Sequence, residues 1–361
     1  MCVNFESDGR PGFFEAKGSD RRGYAKEAAE WVGYCNRPDN KLRRSHGFDE
    51  PLTIPYWQIG NETSYARDAF NLETSAKKTV KFAKAMREAD PSIKIIGWGD
   101  SGWAPRMAEV AGEQLDYLAF HHMFNPDDRK DPVLEGERYR KDLEATWQIL
   151  MNAWIHNDAM IRGVRDSVKG FPLAMTECHF SIPGNNRNDV LRSWAAGVSY
   201  ARILNNHQRH GDVLKIATAA DFCGTRWNVN AIILGTHPKR TFLMPVAIIM
   251  RQYRKYLGDR AVKVTRTPTD IDAVASRTAD KLYLNLVNTS RTRTRRVHLN
   301  IANMKVSTGK GTVLVDDPTT EISSFNCLKV MQPRDFTLAL GKPIELPPAS
   351  VTSMELTVTS S

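Results

Sequence analysis

The chain has 361 residues, an aromatic share of 9% with eight tryptophans, and a net charge of +9, enough length for a large core plus a second module. Basic residues are interleaved with acids, so no nucleic-acid partner is expected, and the absence of any run of 18 apolar residues or signal-peptide pattern points away from membrane and toward a cytoplasmic setting. Five scattered cysteines (Cys2, Cys35, Cys178, Cys223 and Cys327) without CxxC spacing argue against a disulfide framework and against a structural zinc site.

Taken in order, Cys2–Phe5 reads as a short strand, followed by a Gly/Pro/Asp loop and a helix over Tyr24–Cys35 whose apolar face is Ala28, Ala29, Trp31, Val32 and Cys35. Residues 36–50 are polar and read as a loop. The next apolar run, from Ile54, ends on Gly60, Asn61 and Glu62 instead of a turn cluster. A buried carboxylate costs several kcal/mol unless paired, so an acid at the carboxyl end of a strand points to a site. The plainer alternative is an N-cap pair before the helix predicted over Glu73–Ala89.

Ile93–Trp98 is a further buried strand, and the loop Gly97-Trp98-Gly99-Asp100-Ser101-Gly102-Trp103 lacks the spacing of a phosphate cradle. Leu115–Phe120 leads into His121 and His122; strand neighbours face opposite sides, so one histidine lines a site and the other packs outward. A long helical region is expected from Arg138 to about Val168. Phe171–Glu177 is a second apolar strand that ends on a carboxylate, followed by His179 and the loop 183–188, then a helix over Val190–Gln208. Lys215–Asp221 is the sixth strand and opens toward Arg226 and Trp227, before a helix over Phe242–Tyr256 with Pro245 in its first turn.

Two acids at strand ends suggest one rim of a parallel barrel, and paired carboxylates are the minimal equipment for glycoside hydrolysis without any cofactor. Past Asp259 short alternating segments predict an antiparallel sandwich, so the expected division is a catalytic (β/α) barrel over 1–259 and an all-β sandwich over 260–361. The Arg291, Arg293, Arg295 and Arg296 cluster reads as the solvent face of an exposed strand, with a polyanion site as the alternative.

The ordered set Glu27–Asn36, Tyr56-Trp57-Gln58-Ile59-Gly60-Asn61-Glu62, Asp116–His121 and a strand ending at Glu177 resembles glycoside hydrolase family 51, the α-L-arabinofuranosidases with some endoglucanases, in clan A. The resemblance implies a (β/α)8-type (TIM) barrel followed by a β-sandwich, with retaining chemistry in which Glu62 is acid/base and Glu177 the nucleophile. It also implies that Asn61 binds the hydroxyl beside the anomeric carbon; His121, His179 and Arg226 are expected around Glu177. Trp98, Trp103 and Trp227 suit stacking on pyranose rings or, equally, packing at the rim.

Three departures from the family pattern stand out. Cys2–Phe5 aligns with the family's third strand, so the barrel is N-terminally incomplete, with about six βα units visible; a longer gene product, homo-oligomerisation or local rearrangement would close the gap. Met123 or Phe124 replaces a tyrosine, and Asp221 and Trp227 stand where a glutamine is usual. The expected partners are thus arabinoxylan, arabinan or β-glucan. Endo-β-1,4-glucanase or xylanase activity, or a catalytically silent sugar-binding barrel, are the alternatives to arabinofuranoside release.

Overall fold

The computed structural model describes residues 1–6, 23–66, 70–183, 188–236 and 238–360. The first glycine-containing loop and residues 184–187 of the loop after Pro183 therefore lie outside the described residues. In chain order the elements are β1 (Cys2–Val3), α1 (Ala25–Asn36), α2 (Lys41–Ser45), β2 (Tyr56–Ile59), α3 (Leu72–Ala89), β3 (Lys94–Trp98), α4 (Ala104–Ala111), β4 (Tyr117–Phe124), α5 (Leu143–Asn152), α6 (Trp154–Ser167) and β5 (Leu173–Phe180). There follow α7 (Trp194–Arg209), β6 (Leu214–Ala217), β7 (Asp221–Gly224), β8 (Asn230–Ile233), β9 (Phe242–Leu243) and α8 (Pro245–Lys255). The remaining strands are β10 (Arg260–Val262), β11 (Ile271–Thr278), β12 (Lys281–Asn288), β13 (Arg295–Val297), β14 (Met304–Val315), β15 (Arg334–Thr337), β16 (Ile344–Leu346) and β17 (Ser350–Ser360).

Two compact units result, the first comprising Met1–His121, Ile161–Thr176 and Val213–Ala217, the second His122–Met160, Glu177–Asp212 and Thr218–Ser361. The first is organised by a six-stranded sheet in the order β1-β2-β3-β4-β5-β6, with interleaved helices, the incomplete barrel that the sequence predicts. Strand order equal to chain order, with parallel pairs such as Val3 beside Ile59 and Ile59 beside Gly97, is the βα repeat with each crossover covered by a helix. Buried on both faces, β2 and β3 read as continuous apolar runs (Trp57, Ile59, Ile95, Ile96).

The helix α3 starts where the Asn71 side chain accepts the Thr74 N–H at 2.9 Å and presents Ala76, Phe82, Ala83 and Met86 to the core, each larger side chain contributing about 1.5–3 kcal/mol by burial. Asn71, not Asn61 or Glu62, is therefore its N-cap, and the plainer reading of that pair is set aside. In α1, Ala28, Val32 and Cys35 are buried, but Trp31 is 44% exposed and lines a groove of about 610 Å³ beside the edge strand β1 with Val3, Tyr34, Leu42 and His46. The polar stretch after α1 is not all loop. It contains α2, whose Arg43 is fully buried and sends its five N–H groups to the carbonyls of Tyr34, Arg37, Pro38, Phe48 and Asp49.

The long helical region expected from Arg138 is a short 3₁₀ turn followed by α5 and α6, which break at Ala153. The helix expected from Val190 begins at Trp194, because Ser193 caps it by accepting the Ala196 N–H at 3.2 Å. The sixth predicted strand is likewise divided: Leu214–Ala217 belongs to the parallel sheet, whereas Asp221–Gly224 pairs with β8 in a separate three-stranded sheet. Phe242 and Leu243 form β9, and α8 starts at Pro245.

The antiparallel sheet β10-β11-β12-β17-β14-β15 sets Leu282, Leu284, Leu286, Met354 and Leu356 into a core shared with Ile344 and Leu346 of the two-stranded β13-β16 ladder. Three arginines of the predicted cluster meet carboxylates: Arg291 with Glu144 at 2.9 Å, Arg296 with Glu345 at 2.8 Å, and Arg295 with Asp270. All five cysteines are thiols; Cys35 and Cys178 are buried, and Cys2 and Cys223 are exposed. Among the described residues no helix is long and apolar enough to cross a membrane.

Candidate active site

The chain leaves β2 through a bend that needs two left-handed residues, Gly60 at φ +72° and Glu62 at φ +52°. Glycine takes this conformation at no steric cost; a glutamate does not, and such strain concentrates at functional positions. Gln58 holds the bend from inside, donating to the Gly60 carbonyl at 2.9 Å and to the Asn61 side-chain oxygen at 3.3 Å. A single 3₁₀ turn, Thr63–Tyr65, follows, and the Glu62 side chain makes no capping bond to it.

That side chain is engaged by His121 instead. His121 is 2% exposed, with Nδ1 3.1 Å from the Glu62 carboxylate and Nε2 3.2 Å from the Thr176 hydroxyl. Both ring nitrogens are thus engaged, and the imidazole tautomer sets which partner of each contact donates. Trp98 is 1% exposed, stands edge-on to the histidine with ring centroids 4.6 Å apart, and donates its indole N–H to Ser64 at 2.8 Å. It has no open face for a pyranose and acts as a buttress behind His121. His122 stacks on Phe124 with centroids 4.5 Å apart, so the two neighbouring histidines have separate environments, as strand alternation predicts.

Glu177 follows Thr176 on β5 and is half-buried, and the strand runs past it to Phe180. His179, two residues on, is buried, its Nδ1 lying 3.0 Å from the Phe180 carbonyl and its Nε2 3.7 Å from the Asp221 carboxylate. Beyond β7, Arg226 lies over the Trp227 ring with its guanidinium carbon 6.0 Å from the centroid, and Trp227 is 44% exposed. Of the residues read from the sequence, Glu62 and His121 are thus in direct contact, Asn61 is bound to the bend, and Arg226 and Trp227 form a solvent-facing pair.

Sequence reasoning missed Asp100, which accepts the Tyr65 hydroxyl at 2.6 Å and the His121 backbone N–H at 3.1 Å. The signal was present, since Asp100 is an acid at the carboxyl end of a buried strand. That is the same feature that singles out Glu62.

The family profile of the α-L-arabinofuranosidase 1 domain matches residues 12–141, which include Asn61, Glu62 and His121. A probable α-L-arabinofuranosidase C of Aspergillus flavus is 38% identical over 110 residues, 29% of this chain and 20% of that protein. An intracellular exo-α-(1→5)-L-arabinofuranosidase 1 of Bacillus subtilis is 29% identical over 119 residues, 29% of this chain and 24% of that protein. The matched part thus spans less than a quarter of either relative's length. A family 51 α-L-arabinofuranosidase structure from Thermotoga petrophila superposes with a TM-score of 0.67 at 21% identity, over 92% of this chain and 73% of that one, and so shares the fold. The domain profile and the relatives converge on α-L-arabinofuranosidases, the enzymes of the family that the sequence resembles, and the solved structure adds the likeness of fold.

Proposed function

We propose that this chain is a retaining glycoside hydrolase that releases arabinofuranosyl groups from plant cell-wall polysaccharide such as arabinan or arabinoxylan. The observation that carries the reading is the strained Glu62 held by a buried histidine whose other nitrogen meets the residue preceding Glu177. Glu177 attacks the anomeric carbon as the glycosidic bond breaks, and Glu62 gives its proton to the departing oxygen. Glu62 then takes a proton from water as that water displaces Glu177, which restores both carboxyl groups. This chemistry requires the carboxyls to sit about 5–5.5 Å apart and needs no cofactor. Asn61 binds the hydroxyl beside the anomeric carbon.

The test is hydrolysis of an aryl α-L-arabinofuranoside, with soluble β-glucan and xylan in parallel. Glu177→Gln is expected to lower turnover at least about 10³-fold, and Glu62→Gln to be partly rescued by azide on an activated substrate. A folded protein with no turnover above Glu177→Gln on any substrate refutes the reading. A second reading, endo-acting cleavage of β-1,4-glucan or xylan, is favoured by the exposed indole of Trp227. Under it, Trp227→Ala weakens turnover of the polymers by about tenfold while leaving the aryl arabinofuranoside untouched.

A further inference from the structure

The carboxylate of Asp100 is 6% exposed at the end of β3, and the two-carboxylate reaction leaves it without a part. Besides the adjacent Ser101 N–H, which donates to one carboxylate oxygen, the other oxygen takes two donors from different segments. Tyr65 closes the 3₁₀ turn that begins at Glu62, and the His121 N–H belongs to the strand whose imidazole meets Glu62. One buried acid therefore ties the turn beneath the glutamate to the backbone beneath the histidine. Trp98, the last residue of β3, repeats the connection by donating to Ser64 of the turn and packing against the His121 ring. A carboxylate withdrawn from water costs several kcal/mol unless such donors satisfy it, so the contacts fix the acid as firmly as it fixes them.

We propose that Asp100 is a positioning residue for the Glu62–His121 pair, acting through the Tyr65 hydroxyl and the His121 backbone to aim Glu62 at the leaving-group oxygen. This rests on the glycosidase reading above. A loop anchor with no such part would affect stability alone, or slow every substrate equally. A positioning residue of the proton donor slows in proportion to how much the leaving group needs a proton.

The experiment compares phenyl and 2,4-dinitrophenyl α-L-arabinofuranosides with the wild type, Asp100→Asn and Tyr65→Phe. For both variants kcat/KM is expected to fall at least about tenfold on the phenyl substrate and to stay within about threefold on the dinitrophenyl one. Equal losses on the two substrates, or none, overturn the proposal. Tyr65→Phe removes a single hydroxyl and serves where Asp100→Asn does not fold.

A readout independent of turnover is the ring ¹⁵N resonance of His121, identified by its disappearance in His121→Asn. It is expected to move in Asp100→Asn and in Tyr65→Phe, and an unmoved resonance overturns the proposal. Absence of wild-type hydrolysis with a moved resonance removes the glycosidase reading and leaves the positioning contact supported.

Discussion

Replacing Arg43 with methionine tests how a polar segment is held in a single conformation. The guanidinium is fully buried and all five of its N–H groups go to backbone carbonyls, those to Tyr34, Pro38, Phe48 and Asp49 lying 3.1–3.2 Å away. Hydrogen bonds to a charged group are worth about 1.5–3 kcal/mol each, so five set an upper bound near 7–15 kcal/mol. The acceptors belong to exposed or half-buried residues and regain water when the loop relaxes. The expected net loss is therefore about 3–5 kcal/mol, which lowers Tm by about 6–20 °C for a domain of 150–250 residues. Arg43→Lys keeps a charge but only three donors, without the planar fork, and should fall between the two. The assay is scanning calorimetry of the three proteins. A Tm for Arg43→Met within about 2 °C of the wild type would refute the reasoning.

Other substitutions probe the site and the charge balance. In Gly60→Ala the new Cβ would lie 3.1 Å from the Phe5 Cβ at φ +72°, so a loss of about 1–2 kcal/mol in urea unfolding is expected. If the bend presents Glu62, activity should fall further than that loss explains. Burial, then the nearby His122 and His210, holds His207 down to about 3, and neither of its ring nitrogens has a hydrogen-bond partner. The unfolded chain therefore binds the extra proton between about pH 6.5 and pH 3, and stability falls as pH drops through that window by up to about 1.4 kcal/mol per unit. His207→Leu should flatten that slope. For Asp116, burial raises the carboxyl, but the Ile95 N–H, Lys94 and Arg87 together hold it below its ordinary 3.8. Its contribution is complete above that pH and drains as pH falls through the lower folded value, so Asp116→Asn should lose the acid limb of the stability profile.

What could be read beforehand follows from what organises each element. The helices α1 and α3 and the strands β2 and β3 are built on apolar spacing, which a sequence displays directly. The segment holding α2 is organised by a buried cation and five carbonyls, and nothing in the pattern of apolar residues announces that. The break between α5 and α6 escapes for the opposite reason, since Leu143, Leu150 and Trp154 keep helical spacing across Ala153. At the site, Asn61 and Glu62 were legible because they follow an apolar strand, and His121 because it follows the apolar run Leu118-Ala119-Phe120. Asp100 satisfies the same rule, but it lies among the glycines of the loop after β3, which drew the phosphate-cradle question instead. Trp98 illustrates a different limit: an indole at a strand end reads the same whether it faces a sugar or, as here, a neighbouring histidine.

The distribution of thiols turns the molecule into its own clock. Cys35 lies buried in the first unit and Cys178 in the second, where burial pushes its thiol up to about 12. Neither can meet an alkylating reagent until its surroundings open, whereas Cys2 and Cys223 are accessible from the start. The slow phases of labelling, resolved by peptide mass, thus time the opening of each unit separately in a single tube. They would also reveal whether a ligand that quiets one unit leaves the other breathing at its own rate.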